Sequence, residues 1–96
     1  MIYGTHRLYD IDGRLTTNAV VETCDYVVTT TYAFECEKHS MLWYDAIYLS
    51  HARLKRAFLG SDDLLSKYIA TGMATDTLHA YAVTYEENGI DLTPLQ

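Results

Sequence analysis

The chain has 96 residues, 49% of them hydrophobic, with 13 acidic and 7 basic side chains and a formal net charge of −6. A chain of this length is expected to form a single domain, and its acidity excludes a generic DNA-coating protein, because such binding depends on Lys and Arg. Two cysteines and the lack of any run of about 18 apolar residues predict a cytoplasmic protein with reduced thiols and no membrane segment.

The first third of the chain has the pattern of β-strands. Asp12-Gly13 lies between two apolar segments, residues 2–9 and 14–22, and a dipeptide of this kind in such a position predicts a hairpin turn. Residues 25–36 then alternate, and one face would hold Tyr26, Val28, Thr30, Tyr32, Phe34 and Cys36. Because Val and Thr favour pleated, half-buried positions, we predict about three antiparallel strands within residues 1–37.

The middle of the chain has helical spacing. Ser40 is a suitable N-cap, and Gly60 is a suitable residue to end the helix. Between them a broad apolar face is expected from Trp43, Ile47, Ser50, Leu54, Ala57 and Phe58. A second, shorter helix is predicted after Ser61, with Asp62 and Asp63 in its first turn.

The last quarter of the chain allows two interpretations. In the first, residues 76–88 form a third helix that ends at Gly89. In the second, Asn88-Gly89 is the turn of a hairpin, because this dipeptide between alternating apolar segments is a strong hairpin signal. We favour the helix, because one helical face would hold Leu78, Tyr81, Ala82 and Tyr85.

These elements predict an α+β fold. A small antiparallel sheet in the β-rich residues 1–37 would be followed by two or three helices in residues 40–89, packed on one face of the sheet. Residues 90–96 would form a short extended tail. The edge strands of such a sheet must be covered or paired, so self-association as a C2 dimer, through an edge or a Tyr-rich face, is also expected.

A set of cysteines and histidines is a candidate zinc site: Cys24, Cys36, His39 and His51. Thiolates and imidazoles are the ligands of tetrahedral structural zinc. The spacing Cys-x11-Cys-x2-His-x11-His brings only Cys36 and His39 close in sequence, whereas structural sites usually supply their ligands as two tight pairs. Zinc binding is therefore an alternative, and the main expectation is a protein without metal or other cofactor.

Residues 8–16, with the sequence LYDIDGRLT, resemble the first motif of haloacid-dehalogenase-type phosphatases, in which apolar residues precede D-x-D-G-T-L. The resemblance implies a Mg²⁺-dependent hydrolase with Asp10 as the nucleophile and Asp12 as the acid/base. Arg14 stands where the family has Thr. The family's doubly wound parallel sheet also needs long crossover connections, for which this chain is too short, and a hairpin turn explains the same residues.

The charge is distributed unevenly along the chain. Residues 1–50 hold seven acids and three bases, residues 51–60 hold three bases and no acid, and residues 61–96 hold six acids and one base. On the predicted first helix, a basic and aromatic face would present Tyr44, Tyr48, His51, Lys55 and Arg56. Tyr and Arg are enriched at protein interfaces, so this face is a candidate contact with another protein.

The acidic pairs Asp62/Asp63 and Glu86/Glu87 are expected on the surface, where they could meet a cationic partner. The main hypothesis is a non-enzymatic inhibitor or adaptor that binds a basic surface of a nucleic-acid-handling protein complex, without contacting nucleic acid directly. Small acidic phage-encoded inhibitors, including anti-CRISPR and anti-restriction proteins, are similar in size, charge and lack of catalytic motifs. This likeness is one of type and depends on no residue motif.

Overall fold

The computed structural model describes residues 1–36 and 41–96 of the chain. In these described ranges, seven strands form one sheet, and a single short helix, α1, spans Asp63–Ala70. The strands in chain order are β1 Ile2–Tyr9, β2 Leu15–Cys24, β3 Val27–Ala33, β4 Leu42–Arg53, β5 Ala57–Leu59, β6 Met73–Glu86 and β7 Gly89–Pro94.

The sheet is mixed, with the strand order β3-β2-β1-β4-β6-β7-β5. Tight hairpins join β1 to β2, β2 to β3 and β6 to β7, and these pairs are antiparallel. The central strands β1 and β4 are parallel, with Tyr3 opposite Leu42. Parallel neighbours need a crossover connection, and here the chain from the end of β1 to the start of β4 provides it.

Both faces of the sheet are covered by apolar packing. The inner core contains Tyr3, Leu8, Ala19, Val21, Ile47, Leu49, Ala80, Ala82 and Leu95. The helix-side core contains Ala46, Leu54, Leu65, Tyr81, Val83, Ile90 and Leu92. Consecutive residues of β4 and of β6 alternate between the two cores, as successive side chains of a strand point to opposite faces. Leu65 of α1 therefore packs on the face opposite the inner core.

The sheet curls around the inner core, because β3 also contacts β6 although three strands lie between them. The buried His79 of β6 links the two regions, with its Nδ1 2.7 Å from the backbone oxygen of Tyr26. Since a carbonyl only accepts, Nδ1 carries the hydrogen. Tyr26 (φ 69°) and Asp25 (φ 53°) are both left-handed, as a two-residue type I′ hairpin turn requires.

The predicted small sheet with two or three helices is wrong, because the protein is mostly a seven-stranded mixed sheet. Of the expected helical region, residues 40–89, the described part from residue 41 onward contains one helix of eight residues, and the segment from Leu42 to Arg53 is a strand. The physical reason is burial on both faces, since a strand with two buried faces shows no alternation and its apolar residues also match helical spacing. The proposed N-cap Ser40 lies outside the described residues.

The favoured third helix over residues 76–88 is also wrong, and the hairpin alternative is what the structure contains. Glu86 pairs with Gly89, so the turn residues are Glu87 and Asn88, one position before the predicted Asn88-Gly89, and the expected tail forms β7 beside β6. Gly89 has a φ of 153°, and a Cβ there would collide with the backbone oxygen of Leu59. This glycine, the first residue of β7, therefore allows the edge strand β5 to pack against β7.

Candidate functional site

An acidic end of the molecule is formed where the β5–α1 connection meets the β6–β7 turn. Leu59 of β5 pairs with Ile90 of β7, so the residues that follow β5 lie beside the turn that precedes β7. The four carboxylates that define this acidic end are Asp62, Asp63, Glu86 and Glu87. All four are exposed, and none of them forms an ion pair within residues 1–36 and 41–96. The fold thus joins two acidic pairs that are 24 positions apart in sequence (86 − 62).

One guanidinium lies at the border of the acidic end. Arg56 Nη2 is 2.9 Å from Asp91 Oδ2, and Arg56 Nε is 3.4 Å from Asp91 Oδ1. The hydrogen bonds to Asp91 and its charge, with a smaller contribution from Glu86, raise the pKa of Arg56. Because Asp91 already neutralises this guanidinium, Arg56 does little to compensate the four carboxylates of the acidic end.

A row of tyrosines, which comprises Tyr85, Tyr48 and Tyr9, extends from the acidic end along the helix side of the sheet. The rings of Tyr9 and Tyr48 stack with centroids 4.3 Å apart and an interplanar angle of 17°. The guanidinium of Arg7 lies 5.3 Å from the ring centroid of Tyr85, within the range of a cation–π interaction. Burial, followed by the neighbouring Tyr85, Tyr9 and Asp62, raises the pKa of Tyr48 to about 12, so this phenol stays neutral at physiological pH.

A groove of about 450 Å³ lies between the β1–β2 turn, the middle of β4 and α1. Its side chains include the stacked pair Tyr9 and Tyr48, the carboxylate of Asp10 and the imidazole of His51. The Nδ1 of His51 lies 2.9 Å from the backbone oxygen of Thr77 and must donate to it. In the neutral ring, Nε2 is then an acceptor. The groove therefore combines an aromatic wall with hydrogen-bond acceptors.

The residues proposed as a basic and aromatic helix face do not share a face, because the helix that would align them is a strand. Tyr44 packs against the inner core, while Tyr48 packs on the helix side. Lys55 and Arg56 lie between β4 and β5, and both are exposed. Partner binding by these residues stays a prediction, but the helical spacing that grouped them is wrong.

The structure does not bring together the candidate zinc ligands that it describes. Cys24 ends β2 next to Val27, whereas Cys36 lies beyond Ala33 at the other end of β3. The seven residues of β3 span roughly 20 Å at about 3.3 Å per residue. The two exposed thiols thus lie at opposite ends of one strand, and His39 lies outside the described residues. No group of three metal-ligating side chains occurs in residues 1–36 and 41–96.

Asp10 and Asp12 lie in the turn of the β1–β2 hairpin. Asp10 Oδ1 accepts from the backbone N–H of Ile11 at 2.7 Å, and Asp12 Oδ1 accepts from that of Arg14 at 3.2 Å. The backbone of Gly13 donates to the oxygen of Asp10 at 2.9 Å. These contacts are those of a turn, and the antiparallel strands on either side differ from the parallel strand and helix that the phosphatase family requires.

Sequence reasoning missed the groove and the tyrosine row, because their residues come from strands that are distant in sequence. Tyr9 and Tyr48 are neighbours because β1 pairs with β4 in parallel, and no local sequence pattern predicts that pairing. The unusual number of tyrosines, nine in the chain, was the one available signal.

Comparisons of this chain with protein-family models, curated proteins and solved structures gave no match. In the part of the chain that the structure describes, no helix has the length and apolar character needed to cross a membrane.

Proposed function

We propose that this chain is a non-enzymatic interaction module of the cytoplasm, an inhibitor or adaptor whose acidic end binds a basic surface of a nucleic-acid-handling protein complex. The observation that carries the proposal is the strand pairing that places the connection bearing Asp62/Asp63 and the turn bearing Glu86/Glu87 at the same end of the fold. Small acidic phage-encoded inhibitors are proteins of the same type in size and charge.

The physical support is electrostatic. Four exposed carboxylates without ion-pair partners in the described residues leave a negative surface that a cationic partner can neutralise. Complementary charge also accelerates association and selects among partners. A groove that normally holds phosphates is a suitable target, because its Lys and Arg side chains are already arranged to face a line of negative charges.

The test is affinity capture from the native host at about 0.1 M and about 1 M salt, over which the screening length falls from ~10 Å to ~3 Å. We expect the wild-type chain to retain a nucleic-acid-binding complex at low salt and to release it at high salt. Replacing the acidic end by four lysines, through Asp62→Lys, Asp63→Lys, Glu86→Lys and Glu87→Lys, should abolish capture. The captured complex should also lose affinity for its nucleic acid when the wild-type chain is added.

A control variant separates position from total charge. The control, Asp45→Lys with Asp76→Lys, reverses two exposed carboxylates outside the acidic end. It is compared with Asp62→Lys with Glu87→Lys, which reverses two carboxylates of the acidic end. The control should bind the captured complex nearly as well as wild type, while the double reversal Asp62→Lys with Glu87→Lys should bind it weakly. Capture that is indifferent both to salt and to reversal of the acidic end would rule out the proposed mechanism.

A further inference from the structure

The groove between the β1–β2 turn, β4 and α1 has a chemistry that selects one kind of ligand. Its volume of about 450 Å³ falls within the roughly 300–1,000 Å³ typical of ligand sites. Tyr48 in its wall lies near the acidic end, since the charge of Asp62 contributes to the raised pKa of this phenol. A group bound in the groove would therefore lie beside the surface proposed to bind a basic partner.

Two side chains of the groove, the carboxylate of Asp10 and the imidazole of His51, offer hydrogen-bond acceptors to a ligand. Asp10 uses Oδ1 for the Ile11 N–H, which leaves Oδ2 as an acceptor for a ligand. His51 donates through Nδ1 to the oxygen of Thr77, so the Nε2 of its neutral ring accepts. Arg14, Arg53 and Lys67, the bases next in sequence to groove residues, do not line it. The carboxylate and the lack of a lining cation favour a ligand that brings donors and positive charge.

The wall of the groove adds a preference for a planar cation. The Tyr9–Tyr48 pair presents π surface, which attracts cations and stacks with a guanidinium more readily than with an ammonium. The same side of the sheet already holds one such contact, since Arg7 lies over the ring of Tyr85. A nucleobase could also stack on tyrosine, but its phosphates would be repelled by Asp10 and Asp62.

From these features we infer that the groove binds an arginine side chain of the basic partner, with the guanidinium against the tyrosine pair and its N–H groups directed to Asp10 and His51. This inference rests on the proposed function, because it assumes a basic protein as the ligand. It adds a specific residue type and a specific pocket to a surface otherwise defined only by charge.

The test is a ¹⁵N NMR titration of the whole chain with the capped tripeptide Gly-Arg-Gly. We expect shift changes at Asp10, Tyr48 and His51, and none with the citrulline tripeptide, which has the same shape without the charge. Asp10→Asn should weaken binding about tenfold or more, since a charge-assisted hydrogen bond is lost. Asn keeps the oxygen that accepts from Ile11, so the turn is preserved.

Matched variants complete the design. Asp76→Asn removes an exposed carboxylate that does not line the groove and should leave binding of the arginine tripeptide unchanged. Tyr48→Phe should retain binding, whereas Tyr48→Leu should lose it because the ring is lost. The inference is overturned if the groove residues do not respond to the arginine tripeptide, if citrulline or lysine tripeptides bind equally, or if a short oligothymidylate binds there instead.

The two proposals can fail separately. If reversal of the acidic end abolishes partner capture while the arginine tripeptide leaves the groove unchanged, the proposed function stands and the groove inference fails. If the tripeptide binds the groove but capture is indifferent to salt and to the acidic end, the groove inference stands as a pocket for arginine and the proposed function fails.

Discussion

Gly4 shows how closely one residue position can be constrained in this sheet. It is buried in the middle of β1, and a Cβ built on it would lie 2.7 Å from Cε2 of the Trp43 ring. The same ring has His6 at a centroid distance of 5.2 Å and Phe34 at 4.9 Å. Trp43 therefore packs flat on the backbone of β1 and has little freedom to move aside.

We expect Gly4→Ala to lower the free energy of unfolding by about 1–3 kcal/mol, the usual cost of overpacking. Urea denaturation, monitored by Trp43 fluorescence, would measure this change in the free energy of unfolding. Gly60→Ala is the matched control, because a Cβ at Gly60 meets nothing within 4 Å, and its effect should stay within about 0.5 kcal/mol. Equal stability of the two variants would contradict the tight packing of Trp43 on Gly4.

At the scale of the elements, the pairing of β4 with β6 contains a large irregularity. The register passes from Ser50 opposite His79 to Ala52 opposite Ala74, so His51 alone faces the four residues 75–78. Bulges redirect side chains, and this one gathers a polar network. The hydroxyl of Thr77 lies 2.8 Å from Nε2 of His79, whose Nδ1 donates to Tyr26.

The contacts of His79 join the β2–β3 turn to β6. We expect His79→Ala to lower the free energy of unfolding by about 1–3 kcal/mol, because the buried groups that contact this imidazole lose their hydrogen bonds. His6→Ala is the control, because this exposed histidine has only a long contact with Asn18, at 3.4 Å, and a ring contact with Trp43, so its loss should cost less than that of His79. Chemical denaturation of both variants would test it. Amide exchange should also rise at residues 25–28 in His79→Ala, and unchanged protection there would argue against a link between turn and strand.

The elements that the sequence predicted are those fixed by local turn chemistry. Asp12-Gly13 identifies the first hairpin correctly, because this dipeptide favours turn conformations. Asn88-Gly89 indicated the last hairpin as an alternative, although its turn is one position earlier, at Glu87 and Asn88. The short helix after Ser61 was also anticipated. β4 and β6 could not be recognised, because burial on both faces removes the alternation that marks a strand. The groove depends on their placement and was missed with them.

For the whole molecule, the positions of the two thiols give a direct test of the architecture. Cys24 and Cys36 are exposed and lie at opposite ends of β3, roughly 20 Å apart along the strand. A disulfide requires Cα atoms within about 7 Å. Oxidation should therefore produce disulfide-linked dimers and no intrachain bridge. Non-reducing electrophoresis with peptide mass spectrometry would measure this, and a monomeric disulfide under native conditions would contradict the fold.

Self-association through an edge of the sheet stays a prediction. The sheet ends in β3 on one side and in the three-residue strand β5 on the other. Short edge strands discourage pairing with another chain, so β3 is the edge where a second copy would be expected. Size-exclusion chromatography of the reduced protein would distinguish such a dimer from the disulfide-linked species.

The parallel pairing of β1 with β4 has a consequence for the order in which the chain folds. It divides the sheet into two continuous pieces of chain, β1 to β3 and β4 to β7. The hairpins within each piece close short loops and can form in microseconds. The two pieces join where Tyr3 meets Leu42, 39 positions away (42 − 3), and within the second piece Ala46 meets Val83, 37 positions away (83 − 46). Such distant contacts form slowly, so the pairings of β4 with β1 and with β6, rather than the hairpins, should limit the folding rate.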